Sequence, residues 1–273
     1  MNHRKPLMLI AIVMTMIVGI GLSWAENIVI KGSTTVLPIA QKVSEAYMKL
    51  NPDVKISISG GGSGNGIKAI IDGTTDVADS SRFIKDKEVK LAVEKGRYPV
   101  PFAVAYDCII PIVHPSNPVK DLSLSQLKAI YKGEVTNWNQ VGGNDQRIVV
   151  ISRDTSSGTY EVWENKVMNK DRVYPGALLQ ASNGAVIQAV SKNKNAIGYI
   201  GLGYLDKSVH ATSVENIVGS EGSTLDGTFP ISRPLYMFTN QWPEGALAKF
   251  MNFVVHPEKG QKLVKEAGFV PLY

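Results

Sequence analysis

The sequence predicts an α/β protein built as two lobes, and three observations carry that prediction. Short β-branched runs alternate with segments of helical periodicity along most of the chain, the pattern of a mainly parallel sheet with helices on both faces. Two polar segments, Gly32-Ser33-Thr34-Thr35 and Arg153-Asp154-Thr155-Ser156-Ser157-Gly158-Thr159, each stand between such a run and a helix. A stretch punctuated by prolines, Pro115-Ser116-Asn117-Pro118, separates the two halves and is the expected place of the first crossing between lobes.

Taken in order, 27–31 reads as a strand and 38–50 as a helix with Ile39, Val43, Ala46, Tyr47 and Leu50 on one face, stopped by Asn51-Pro52. A second strand over 54–59 leads into a glycine cluster at 60–66 that includes Ser63, then a short helix carrying Ile67, Ile70 and Ile71. A third strand is expected over 76–81, and a helix over 85–95 that Gly96 ends. The β-rich run 99–114 precedes the proline boundary. Beyond it, Ser123 and Gln126 form a capping box for a helix that ends at Gly133. A strand over 146–153, helices over 159–168 and 184–192 and a strand over 196–200 make a second α/β unit. A strand over 230–240 and helical segments at 243–255 and 257–267 close the chain.

The N-terminus bears on location. Arg4 and Lys5 precede an apolar run over 7–22 that ends in Ser23-Trp24-Ala25, the layout of a secretory signal peptide cleaved after Ala25. The run falls short of the ~20 residues that span a bilayer and contains Thr15, Gly19 and Gly21, which argues against a retained anchor. Cleavage leaves a chain from Glu26 with 27 basic and 24 acidic residues, a formal charge of +3. So small an excess gives no reason to expect nucleic acid as a partner. The single cysteine, Cys108, lies in an apolar run, so neither a disulfide framework nor a cysteine metal site is expected. No cofactor is implied, and a periplasmic protein follows.

The polar segments suit an anion that must leave water. A tetrahedral ion with four oxygens needs about a dozen donors, and small residues let backbone N–H groups approach it. Ser33, Thr34 and Thr35, and Ser63 among its glycines, offer hydroxyls and amides at strand–helix junctions, where open α/β sheets bind ligands. Ordinary helix capping has the same composition. Arg153 adds charge at the same kind of point, with Ser157, Gly158 and Thr159 behind it, and a guanidinium grips an oxyanion through two parallel bonds. Arg82, after Asp79-Ser80-Ser81, is a second candidate guanidinium, with a surface salt bridge as its alternative role. Asp79 and Asp154 are the carboxylates that could accept a proton from the ligand, which phosphate keeps near neutral pH and sulfate does not.

Six ordered segments, G-S-T-T-V-L-P at 32–38, S-G-G-G-S-G-N-G at 59–66, D-V-A-D-S-S-R at 76–82, G-E-V-T-N-W at 133–138, S-R-D-T-S-S-G-T-Y at 152–160 and A-I-G-Y at 196–199, resemble those of periplasmic phosphate-binding proteins of ABC-type phosphate importers. The resemblance covers nearly the whole chain after Ala25. It implies a two-lobed periplasmic binding protein type II fold, each lobe a mainly parallel sheet, with two crossing strands as hinge. The lobes would be 26–112 with the returning part 229–273, and 113–228. It implies one dehydrated phosphate held by Ser33, Thr34, Thr35, Ser63, Arg153, Ser157, Gly158 and Thr159, and delivery to membrane permease and ATPase subunits. Ser81 and Arg82 join the candidate ligand residues from their place at the end of the third strand, and a monomer is expected. Better-known members carry, where Ser81 falls, an aspartate that takes the phosphate proton. Here either Asp79 takes over that role or the site relies on Arg82 and neutral donors.

Two other functions compete. Binding of sulfate, molybdate or tungstate needs the same neutral donors, and the paired arginines favour phosphate over them. A secreted phosphatase or serine hydrolase using Ser63 or Ser157 needs a base. The chain after Ala25 offers only His114, His210 and His256, without metal-ligand spacing, and contains no G-x-S-x-G elbow. A non-catalytic binding protein is therefore the expectation.

Overall fold

The computed structural model describes residues 26–273, so the expected signal peptide at 1–25 lies outside the described residues. The first unit alternates β1 (Glu26–Gly32), α1 (Leu37–Leu50), β2 (Val54–Gly60), α2 (Ser63–Asp72), β3 (Val77–Ser80) and α3 (Asp86–Glu94). β4 (Pro99–Val113) leads to the second unit: β5 (Asp121–Leu122), α4 (Leu124–Lys132), β6 (Val149–Arg153), α5 (Gly158–Lys166), β7 (Leu178–Gln180), α6 (Asn183–Ser191) and β8 (Ala196–Gly201). Short pieces β9 (His210–Ala211), β10 (Ser213–Val214) and α7 (Glu221–Leu225) follow, then β11 (Ser232–Asn240), α8 (Gly245–Val255) and α9 (Gly260–Glu266).

Local chemistry sets several of these bounds. Ser123 Oγ accepts the Gln126 amide at 3.1 Å while Gln126 Oε1 accepts the Ser123 amide at 2.9 Å, so α4 begins with the expected capping box. Gly133 ends it in the left-handed region. Pro38 stands in the first turn of α1, where its missing N–H costs nothing. The expected strand over 146–153 shortens to β6, because the Gln146 and Ile148 backbone pairs instead with Trp138 and Thr136.

One curled sheet joins the strands in the order β2-β1-β3-β11-β4-β8-β6-β7. β1 is parallel to β2 and β3, and β6 is parallel to β7 and β8. The join between the two parallel parts is antiparallel, because β4 and β11 run in opposite directions through it. The crossing also differs from the expected position at 115–118. β4 pairs with β11 through Cys108 and with β8 from Ile109, so the exchange of partners falls inside one continuous strand, where no turn residue marks it.

The buried apolar side chains divide at the same place. One cluster gathers residues from Cys108 to Ile231, and a second takes Ile28 to Ala105 together with Leu235 to Phe269. A third, smaller cluster packs α2 and α3 against Ala78 and Phe238. α8 and α9 return to the first unit, where Phe250, Met251 and Val264 pack with Ile39, Val43 and Tyr47 of α1. In the second unit Trp163 stacks on Tyr199 with centroids 4.2 Å apart and planes 7° apart, which fixes α5 against β8. Tyr199 carries that order to the cleft: its hydroxyl bonds Ser152 Oγ at 3.0 Å and accepts the Arg153 amide at 3.3 Å. Among the described residues no helix is long and apolar enough to cross a membrane.

Candidate functional site

The C-terminal ends of β1, β3 and β6 and the starts of α2 and α5 meet in a buried polar cluster between the two units. From β1, Thr34 and Thr35 turn their hydroxyls toward the second unit. Thr35 Oγ1 lies 2.9 Å from Thr159 Oγ1, and Thr34 Oγ1 accepts from Arg153 Nη2 at 3.3 Å. Ser33 Oγ also accepts the Thr35 and Val36 amides at 3.1 and 3.4 Å, a local turn bond of the kind its residue type allows. Ser63, at the start of α2, accepts the Ser81 amide at 3.0 Å and stands 3.3 Å from the Ser81 hydroxyl.

The start of α5 faces this pair. Ser157 caps the helix through Tyr160 N at 3.2 Å, while the first-turn amides of Gly158 and Thr159 take no acceptor within the helix. A Cβ built on Gly158 would lie 2.3 Å from Ser63 Oγ and 2.7 Å from Ser81 Oγ, so only glycine lets the two units approach this closely. Gly62, at φ +99°, has the same role at the rim, where a Cβ would meet Ser156 Oγ at 2.5 Å. Gly64 N donates to Ser156 O at 2.9 Å, and the Ser156 hydroxyl, which also reaches Asp154, donates to Gly61 O at 3.2 Å.

Arg153 supplies the charge. Nε donates to Gln180 O and Nη2 to Ala181 O, each at 3.0 Å, a hold that β7 provides by pairing Gln180 opposite Arg153. Among the described residues Nη1 has no hydrogen-bond partner, although Arg153 is only 1 % exposed. Burial pulls the guanidinium's pKa down from its ordinary value, against the opposing influence of Tyr199 and Asp154. An anion beside Nη1 would satisfy the donor and offset that desolvation.

Arg82 is placed elsewhere. Glu88 grips it through Nη1 and Nη2 at 2.8 Å each, and Nε lies 2.8 Å from Glu161 Oε2, an ion pair without hydrogen-bond alignment. The second guanidinium in the cluster is Arg233, from β11. Its Nη2 reaches Thr159 Oγ1 at 3.1 Å and Thr35 Oγ1 at 3.5 Å, and Nη1 donates to Ser81 O at 3.1 Å. Asp107, directly opposite on β4, holds it through Nε at 3.1 Å and Nη2 at 2.8 Å. Burial pushes the Asp107 carboxyl up and Arg233 opposes the shift. Asn183 completes the floor, donating to Thr35 Oγ1 at 3.1 Å and Thr34 Oγ1 at 3.4 Å.

Sequence reasoning missed Arg233 and Asp107 because neither stands in a strand–turn–helix junction rich in Ser, Thr and Gly; Asn183, between Ser182 and Gly184 where β7 passes into α6, does stand in such a junction and was overlooked. The available sign was an arginine and an aspartate inside otherwise apolar strands. Asp79 lies on β3, its carbonyl accepting the Ser33 amide at 2.8 Å. Its carboxyl is 1 % exposed, and Oδ1 is the one buried carboxylate oxygen without a hydrogen bond among the described residues. Burial alone pushes its pKa well above the ordinary value.

Hydroxyls, helix-start amides and two buried guanidiniums drawn from two lobes, with the crossing strands beneath, define a hinged oxyanion-binding protein. The chain matches the family model of the PBP superfamily domain over residues 23–258 and belongs to that superfamily. It is 34% identical over 254 residues to the phosphate-binding protein PstS of Staphylococcus epidermidis, covering 88% of this chain and 77% of the relative. PstS of Staphylococcus aureus is as similar, with 34% identity over 253 residues, 88% of this chain and 76% of the relative. Among solved structures, a putative phosphate ABC transporter substrate-binding protein of Clostridium perfringens with bound phosphate superposes with a TM-score of 0.84 and 34% identity over 91% of this chain and 100% of that one. An ABC-type phosphate transport receptor of Vibrio cholerae gives 0.74 and 33% over 89% and 99%. The chain is a member of the PstS family of substrate-binding proteins.

Proposed function

We propose that this protein binds one inorganic phosphate between its lobes in the periplasm and, as a monomer, delivers it without chemistry to the permease and ATPase subunits of an ABC importer. The observation that carries the reading is Arg153 Nη1, a buried donor without a hydrogen-bond partner among the described residues, beside hydroxyls from both lobes. The relatives' phosphate ligand and transporter role support it.

Thr34, Thr35, Ser63, Ser81, Ser157, Gly158 and Thr159 serve as donors, and Arg153 and Arg233 supply positive charge. Ser33 acts on the shape of the loop. Asp79 is proposed as acceptor for the proton of the ligand: in its ionised form, Oδ1, which has no hydrogen bond among the described residues, would be satisfied by a protonated oxyanion and not by sulfate. The lobes, 26–112 with 229–273 and 113–228, close around the ion because neither carries enough donors to replace its water.

The test is equilibrium dialysis of the chain from Glu26 with radiolabelled phosphate, beside an assay for hydrolysis of an aryl phosphate. Saturable one-to-one retention without hydrolysis is expected. Hydrolysis, or no retention, would reject the proposal.

A further inference from the structure

Glu161 lies two residues beyond Thr159 on α5, and its ion-pair partners among the described residues belong to the other lobe. Glu161 Oε2 is 2.8 Å from Arg82 Nε and 2.6 Å from Lys85 Nζ. Arg82 keeps a second carboxylate, Glu88, within its own lobe, and Glu88 Oε2 also accepts the Lys85 amide at 2.9 Å. The Arg82 and Glu161 side chains are 6 % and 10 % exposed, so solvent screens their attraction far less than that of a surface pair.

The asymmetry is what matters. Separation of the lobes leaves Arg82 paired with Glu88 but deprives Glu161 of both cations. The attraction therefore exists only in the closed arrangement, and a contact made in one of two states shifts the balance between them. Glu161 also rides on the helix whose start presses Gly158 against Ser63 and Ser81, so drawing α5 toward Arg82 and Lys85 seats that start on the cluster.

We propose that Arg82, Lys85 and Glu161 form an interlobe latch, positioning residues that hold the closed state and set how fast the bound anion leaves without touching it. The inference rests on the phosphate reading above. It gives Arg82 a task at a distance from the ligand in place of direct contact.

The experiment compares the chain from Glu26 with its Glu161→Gln, Lys85→Met and double variants. It measures phosphate association and release by stopped flow, and thermal unfolding in phosphate-free buffer. Glu161→Gln is expected to speed release by about tenfold or more while leaving association nearly unchanged, as for a truncated buried charge pair. Lys85→Met is expected to act in the same direction more weakly, and the double variant to fall short of the product of the two effects. Phosphate-free melting is expected to stay at the wild-type value. Wild-type release rates in Glu161→Gln, or a loss of phosphate-free stability that matches the loss of affinity, would overturn the latch alone. A wild-type chain that binds no phosphate would overturn the reading beneath it, and the latch with it.

Discussion

The hydroxyls of Thr35 and Thr159 meet at 2.9 Å although 124 residues of chain separate them, and Arg233 Nη2 reaches both from the floor of the cleft. One threonine belongs to each lobe, while Arg233 stands on a crossing strand, opposite Asp107 on the other. The hinge thus carries a charge pair at the point where closure brings donors together. Removing Asp107 by Asp107→Asn leaves a buried guanidinium without its counterion. Stability is expected to fall by about 3 kcal/mol, and Arg233→Met combined with Asp107→Asn to recover part of it. Thermal unfolding of the single and double variants is the check, and additive losses would contradict the coupling.

Arg153→Ala tests the ligand-side charge. With Nη1 lost from the cluster, phosphate affinity is expected to drop by about 3 kcal/mol, a little over a hundredfold, with the fold retained because the main-chain pairing of β6 does not use the side chain. Unchanged affinity by calorimetry would refute the assignment.

Gly158→Ala tests the close approach of the lobes. The added methyl group collides with Ser63 and Ser81 only when the lobes are together. Phosphate-free melting is therefore expected to match wild type, and the stabilisation that phosphate confers to disappear. Normal stabilisation by phosphate would show that the helix start does not seat on these serines.

Asp79 makes stability depend on pH in a defined sense. Its folded pKa lies well above the ordinary 3.8, so between those two values the folded protein keeps a proton that the unfolded chain has released. Stability must then decline as pH rises through that window and stay reduced above it. Asp79→Asn removes the decline, so its advantage in melting temperature over wild type is expected to grow as the pH is raised above about 4. A constant difference across that range would contradict the assignment. For the ligand, Asp79→Ala is expected to narrow the preference for phosphate over sulfate, and an unaltered preference would remove Asp79 from the site.

Much of this arrangement was legible in the sequence, and the remainder was hidden for physical reasons. Periodicity and capping residues located α1 and α4 to within a residue, since Ser123, Gln126 and Gly133 act locally, whereas α2 begins at Ser63, inside the glycine cluster expected to precede it. The Ser/Thr/Gly junctions led to Thr34, Thr35, Ser63 and the start of α5, because helix-start chemistry is written in adjacent residues. Two of the candidate ligand residues make bonds that composition does not reveal: Ser33 Oγ accepts amides of its own loop, and Arg82, at the end of a strand beside the cluster, is held by Glu88 and Glu161. Arg233, Asp107 and Asn183 become neighbours only through strand pairing across more than a hundred residues or through the meeting of the lobes, which no local pattern encodes.

Calorimetric titration of the chain from Glu26 with phosphate, alone and in excess sulfate, decides whether the cleft is a phosphate site that rejects sulfate. Tight one-to-one binding of phosphate, undiminished by sulfate, is the result expected of a cleft with Arg153, paired hydroxyls and a proton acceptor. Equal binding of the two ions, or none of phosphate, would contradict it.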